Sequence, residues 1–367
     1  MSGHRWGVFL SIINIHSILR DYTIHIGPVG DFLNQMLSLE HKVFLVDENV
    51  WQYHFNGVLN GLPQTEIVIL PALEERKTLE GAQEVYEHIL SRSAKRNMTL
   101  ITIGGGILQD VTGFAASTIY RGVSWFFIPT TLLAQADSCI GGKTSLNYKG
   151  YKNLIGSFYP PIAVWIDPYF LGTLQTQDFY SGLGEVIKLH IMGGEPKIQQ
   201  ILKEYDAICN RDITTLESAI QTSLEIKRGY IIDDEFDLGK RNMLNYGHCF
   251  GHALESVTNF RISHGQAVVV GMILANNIAR KRHLLSEKRC QFIEEKLLMP
   301  TLQTKILPGD FQSDLIIKAM MKDKKRTGSG LVLVMINDSD EMVRVDNLEE
   351  YEVQEALEVL GMKVIHP

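Results

Sequence analysis

Five short runs rich in β-branched and aromatic residues, each followed by a stretch with helical spacing, constrain this chain more than any other feature. They are KVFLVD (42–47), TEIVILP (65–71), TLITIGGG (99–106), SWFFIPTT (124–131) and AVWIDP (163–168). Parallel strands need a crossover, usually a helix, before the next strand can pair, so this alternation predicts an α/β domain built on a parallel sheet over residues 1–175. Ligands of such sheets sit beyond the carboxyl ends of the strands, where VDEN, GGG and IPTT fall.

Beyond residue 175 the β-rich runs give way to helical spacing, as in LESAIQTSLEIKRGYIID, AVVVGMILANNIARKRHLL and SDLIIKAMMKDKK. A mainly helical second domain is expected over residues 176–367, with one late hairpin from GLVLVMIND and EMVRVDN. A chain of 367 residues is long for a single core, which agrees with two domains. The first 27 residues read as an irregular extension. Their short apolar run VFLSIINI lacks a signal-peptide cleavage site and is too short to span a bilayer.

Hydrophobic residues make up 45% of the chain and charged ones 21%, a balance that points to a soluble globular protein. A net charge of −7 argues against a broad electrostatic grip on nucleic acid, so any cationic site must be concentrated. The cysteines Cys139, Cys209, Cys249 and Cys290 have neither zinc-knuckle nor disulfide-framework spacing. A reducing, cytoplasmic location with no membrane partner is expected.

The glycines of ITIGGGILQDVTGF stand between a strand and a helix, where backbone N–H groups can approach a pyrophosphate; a tight packing turn is the alternative. VDENV can hydrogen-bond ribose hydroxyls or simply cap a helix, and Glu74 and Lys77 in PALEERKTLE are a nucleotide-edge loop or a solvated helix start. In QADSCIGGKTSLNYKGYKN, Lys143, Lys152 and Asn153 could orient a phosphate and Asp137 a hydroxyl, against the alternative of a charged surface loop. Glu185 and Lys188 share a helix face as an ordinary ion pair or as part of a site. His248 and His252 are four residues apart, and His264 follows in SHGQA. With Glu185 they offer nitrogen and carboxylate ligands to a divalent metal, and spacing alone does not choose which histidines bind.

Taken together, GGGILQDVTGF, YRGV, PTTLLAQADSCIGGKTSLN, YKNLIGSFYPP, SGLGEVIKLH, RNMLNYGHCFGHALE, SHGQAV and DKK resemble the 3-dehydroquinate synthase family of sugar phosphate cyclases, over residues 42 to about 336. The resemblance implies a Rossmann-like domain followed by a helical one, bound NAD, one divalent metal such as zinc or cobalt, and a homodimer. It implies metal ligands Glu185, His248 and His264, with His252 facing substrate. NAD would meet Asp47, Asn49, Glu74, Lys77, Gly104, Gly105, Gly106, Asp110, Thr130, Thr131, Asp137, Lys143, Lys152, Phe170 and Thr173. Substrate phosphate would be held by Lys143, Lys152, Asn153 and Asn245, and by Arg121 donated by the partner subunit. The sugar end would meet Asp137, Lys188, Lys227, Asp237, Arg241 and Lys324 or Lys325. The implied reaction converts 3-deoxy-D-arabino-heptulosonate 7-phosphate to 3-dehydroquinate, with Arg241 and Lys227 suiting the substrate carboxylate.

Three departures from the family pattern stand out: Gln109 for a usual glycine, NYKGYKN for NHPxGKN, and Asp237 for a usual glutamate. They keep open a specialised cyclase acting on sedoheptulose 7-phosphate or another sugar phosphate. A polyol dehydrogenase of similar plan would not need the lysine and asparagine set.

Overall fold

Seven strands line up side by side in the computed structural model, which describes residues 11–93, 95–322 and 330–365. In chain order the strands are β1 (Ser11–Ile15), β2 (Tyr22–Ile26), β3 (Lys42–Asp47), β4 (Ile67–Leu70), β5 (Thr99–Gly104), β6 (Ser124–Pro129), β7 (Lys143–Tyr148), β8 (Tyr151–Phe158) and β9 (Ala163–Ile166). The sheet runs β1-β2-β9-β6-β5-β3-β4, parallel throughout except for the β1–β2 pair. Every residue of β3 and β9 is buried, as expected for strands covered on both faces. The helices between them are α1 (Gly30–Leu37), α2 (Glu48–His54), α3 (Leu79–Ser93) and α4 (Gly106–Thr118). Phe32 of α1 and Trp165 of β9 stack 4.3 Å apart in a core that also takes in Phe44, Ile101 and Phe170.

The strand order positions the ligand end of the sheet. From β3 the chain steps outward to β4, then returns to lay β5 on the other side of β3. The crevice between the carboxyl ends of β3 and β5 is therefore the topological switch point, and Asp47 and Gly104 are the residues that face each other there.

One reading of the sequence is corrected. The stretch taken as an irregular extension contains β1 and β2, an antiparallel hairpin that pairs with β9 and extends the sheet. NYKGYKN, in the stretch for which a charged surface loop was the alternative, is the tip of the β7–β8 hairpin. Lys149 (φ 47) and Gly150 (φ 79) are both left-handed between paired Tyr148 and Tyr151, the backbone of a two-residue type I′ turn. Its strands are largely polar and only Thr144 and Leu146 are buried, so no apolar run announced them.

By internal contacts the chain forms two units: residues up to Leu174 together with Arg211–Phe236, and Gln175–Asn210 together with the residues from Asp237 onward. The first thus includes a long helix that a single cut after residue 175 leaves out. The helices that follow are α5 (Thr176–Met192), α6 (Glu195–Cys209), α7 (Ile213–Asp233), α8 (His248–Val257) and α9 (His264–Lys281). Of these, α7 belongs to the first unit and the others to the second. The expected late hairpin is present as β10 (Leu331–Ile336) and β11 (Met342–Leu348). The fold class is a Rossmann-like parallel-sheet unit with a mainly helical second part. No helix of the described residues is long and apolar enough to cross a membrane.

Candidate active site

In the second unit, three helices meet at distances that leave no room for side chains at the contacts. A Cβ on Gly265, at the start of α9, would lie 1.7 Å from the Ser181 carbonyl oxygen of α5, and the Gly265 N–H donates to Ser181 Oγ. Gly247 caps α8 with φ +78, and a Cβ there would lie 2.6 Å from the Val268 carbonyl oxygen of α9. These close approaches set Glu185 of α5, His248 of α8 and His264 of α9 against one another. One ligand atom from each lies within 4.8 Å of the others.

Glu185 Oε1 faces His264 Nε2 at 3.2 Å and His248 Nε2 at 3.5 Å, while its Oε2 lies 2.5 Å from Lys188 Nζ. Glu185 and Lys188 are 1% and 2% exposed, so this is a buried pair and no solvated helix face. Both imidazoles have their other nitrogen committed. His248 Nδ1 donates to the Tyr246 carbonyl at 3.1 Å, and His264 Nδ1 donates to Glu255 Oε2 at 3.0 Å. His252 completes the group, its ring 5.4 Å from that of His248 and 5.8 Å from that of His264. His252, Glu255 and His264 form a second overlapping set of ligand atoms.

Burial opposes ionisation of Glu185, but Lys188 and the two histidines outweigh it and hold the carboxyl well below its usual range. Burial and the Lys188 charge hold His248 well below its usual value, so it is neutral. Burial would lower His264 as well, yet Glu255 and Glu185 raise it to about 10. With Nδ1–H donated to Tyr246, neutral His248 points the lone pair of Nε2 at a carboxylate oxygen. Nε2 of His248 and Oε1 of Glu185 are then two acceptors facing each other at 3.5 Å. A cation between them removes the conflict, so the donor set fits a divalent metal.

Glu255 was missed in the sequence. It lies three residues after His252 and seven after His248, a helical spacing that could have placed it on the same face. Its partner, His264, comes from another helix and carried no such signal.

In the first unit, the crevice residues crowd together as the glycines require. A Cβ on Gly104 would fall 3.2 Å from Asp47 Cβ, and one on Gly105 would fall 2.9 Å from Thr131 Cγ2. Asp47 caps α2 by accepting from the N–H of Asn49 at 2.8 Å, and Asn49 itself is exposed. Thr130 donates its N–H to the Gly104 carbonyl. The phenyl ring of Phe170 is spent on the core at 2% exposure, whereas the Thr173 hydroxyl meets His54 Nε2 at 2.8 Å.

Residues from four separate motifs join one polar network. Lys77 Nζ lies 2.5 Å from both Asp110 Oδ2 and Asn153 Oδ1, and Ser145 Oγ lies 2.9 Å from each of the same two oxygens. Asn147 donates to Glu74 Oε1 at 2.9 Å, and Lys152 Nζ lies 3.6 Å from that oxygen. Elsewhere Lys227 of α7 reaches Asp137, with Nζ 2.8 Å from its carbonyl and 2.9 Å from Oδ2. Asp137 Oδ1 stays buried without a hydrogen bond. Gln109 closes a two-way clamp: its amide donates to the Ser138 carbonyl at 2.7 Å, and Ser138 Oγ donates back to Oε1 at 2.6 Å. The side chain at the usual glycine position thus braces the 134–138 turn that carries Asp137.

Lys143 begins β7 and is exposed, and Arg121 is exposed on a turn where Tyr120, Arg121 and Gly122 all have positive φ. Arg241 is buried in the 240–245 turn, and Asp237 is left-handed at φ 61. Asn245, His248 and His252 line one pocket of the second unit. Lys324 and Lys325 lie outside the described residues.

Fold and site together define a class in which a Rossmann-like unit is joined to a helical one bearing a carboxylate and two imidazoles. Models of the 3-dehydroquinate synthase N-terminal and C-terminal regions match residues 67–181 and 182–326. The chain is 33% identical over 365 residues to the 3-dehydroquinate synthase of Crocosphaera subtropica, covering 96% of this chain and 100% of the relative. It is 40% identical over 286 residues to that of Clostridium tetani, covering 78% and 76%. The chain belongs to the 3-dehydroquinate synthase family.

Two solved structures share the fold at 22% identity, each covering 95% of this chain and 99% of its own. One is 2-epi-5-epi-valiolone synthase from Streptomyces hygroscopicus subsp. jinggangensis with NAD+ and Zn2+ bound, at a TM-score of 0.80. The other is 2-deoxy-scyllo-inosose synthase complexed with carbaglucose-6-phosphate, NAD+ and Co2+, at 0.79.

Proposed function

We propose that the chain is a metal- and NAD-dependent 3-dehydroquinate synthase, a cytoplasmic lyase that converts 3-deoxy-D-arabino-heptulosonate 7-phosphate to 3-dehydroquinate and phosphate. The observation that carries the reading is the Glu185, His248 and His264 cluster, with its conflict of facing acceptors, in a chain whose relatives at 33% and 40% identity bear that name. When bound, NAD supplies a hydride acceptor that is regenerated in each cycle, and the metal supplies Lewis-acid polarisation of the substrate oxygen.

The chain's own residues do the rest. Glu185, His248 and His264 hold the metal, while Glu255 and the Tyr246 carbonyl orient the two imidazoles. The crevice at Asp47 and Gly104–Gly106, with the amino terminus of α4, receives the cofactor pyrophosphate, and Thr130, Thr131 and Thr173 flank it. Glu74, Lys77 and Asp110 address the remainder of the cofactor. Lys188 lies against Glu185 and donates to a substrate hydroxyl, and Asp137, held by Lys227, accepts from another. Lys143, Lys152, Asn153 and Asn245 hold the phosphate and stabilise it as it departs, helped by Arg121 of the partner subunit in a homodimer. Arg241 takes the substrate carboxylate, and His252 and Asp237 serve proton movement on the ring.

The test offers the purified protein NAD and zinc or cobalt, together with 3-deoxy-arabino-heptulosonate 7-phosphate, sedoheptulose 7-phosphate or glucose 6-phosphate. Phosphate release is followed, and release from the first is expected. Release from one of the others alone would sink the reading in favour of a specialised cyclase.

A further inference from the structure

We infer that Arg344 binds the phosphate end of the substrate; this rests on the function proposed above. Arg344 lies on β11, opposite Val334 of β10, and both residues line the pocket that Asn245, His248 and His252 line from the other side. β11 packs against the 240–245 turn, so the hairpin forms a wall of the site and not a distant appendage.

The charge of Arg344 is what sets it apart. Arg261, Arg280, Arg282 and Arg289 of the same unit each meet a carboxylate within 3 Å. Among the described residues Arg344 meets none. The pocket offers it amides from Asn242 and Asn245 and apolar walls from Leu331 and Val332, with no acidic side chain among the lining residues. A guanidinium facing such a wall has a fork of donors and no counter-charge, and the groups that match it are a phosphate or a carboxylate.

The neighbours choose between these two. Asn245, the amide expected at the phosphate, lines this pocket, whereas Arg241, the group expected at the carboxylate, does not. The hairpin carries none of the residues that the family motifs assign, so no motif points to it.

The test titrates inorganic phosphate into the metal-loaded chain by calorimetry, comparing the parent with Arg344→Ala and Arg344→Lys. A charge-assisted hydrogen-bond pair is lost in Arg344→Ala, so phosphate affinity should fall by about 10-fold or more. Arg344→Lys should retain part of it. Metal content should stay unchanged, and with the sugar phosphate the KM should rise with kcat little altered.

Unchanged phosphate affinity in Arg344→Ala overturns the inference, as does a parent chain that takes up no phosphate. A loss seen only with the carboxylated substrate, with phosphate affinity intact, also overturns it. Absence of turnover by the parent on all three sugar phosphates refutes the proposed function instead, and leaves the phosphate titration readable.

Discussion

Glu255 stands outside the proposed metal set and is expected to control it. Its carboxylate holds His264 by Nδ1 at 3.0 Å and is itself only 4% exposed, so the imidazole is fixed in the orientation that presents Nε2 to Glu185. Glu255→Gln keeps the shape and removes the charge. Metal affinity is expected to fall about 10- to 100-fold, measured by competition with a chromophoric chelator. An unchanged affinity would reduce Glu255 to a packing residue. The same scale accounts for Gln109. The departure from glycine adds a side chain, and its amide and the Ser138 hydroxyl satisfy each other, so the substitution braces the turn without burying an unpaired polar group.

Among the elements, the crossing of α5 and α9 decides whether Glu185 and His264 can meet. Gly265 has no space for a methyl group, since the obstacle is the Ser181 backbone carbonyl and not a movable side chain. Gly265→Ala should therefore destabilise the protein by about 3 kcal/mol through overpacking, and should weaken metal binding in the fraction that folds. Urea unfolding with and without zinc measures both effects, and an unshifted midpoint would show that the helices separate at little cost. By contrast, the β10–β11 hairpin was visible in the sequence as one continuous apolar run and a second, partly alternating one, but its part in the pocket was not. Which strand faces which helix is a long-range matter that local patterning does not encode.

For the whole molecule, acid sensitivity follows from His190, fully buried on α5. Its Nδ1 donates to the Val186 carbonyl at 2.8 Å and its Nε2 has no partner, so burial pushes the imidazole down to about 4. The unfolded chain takes up a proton near pH 6.5 and the folded chain does not until about 4. Stability from this group is thus complete above pH 6.5 and is lost as pH falls towards 4, a change of about 3 kcal/mol. Unfolding free energies measured across that range should fall less steeply in His190→Gln. An identical slope would place the acid sensitivity elsewhere.

The strands of the parallel sheet, the helical second half and the late hairpin were legible in the residues because apolar periodicity is local and each of these elements buries one or two whole faces. The motifs naming Glu185, His248 and His264 were legible for a similar reason: their residue types suit one chemistry. The β1–β2 and β7–β8 hairpins were not, because β1 and β2 span only five residues each, β7 and β8 carry little apolar pattern, and a left-handed Lys149 carries no glycine signature. Strand order was not legible either, and it alone brings Asp47 beside Gly104 at the switch point. Spacing could not separate His248 from His252. Only the packing of three helices, closed by glycines, turns both His248 and His264 towards Glu185 and sets Glu255 behind one of them. Sequence by itself determined which groups the site can use. Tertiary structure decided which of them meet, because contacts between distant segments depend on backbone approach, and backbone approach is set by the shapes packed between them.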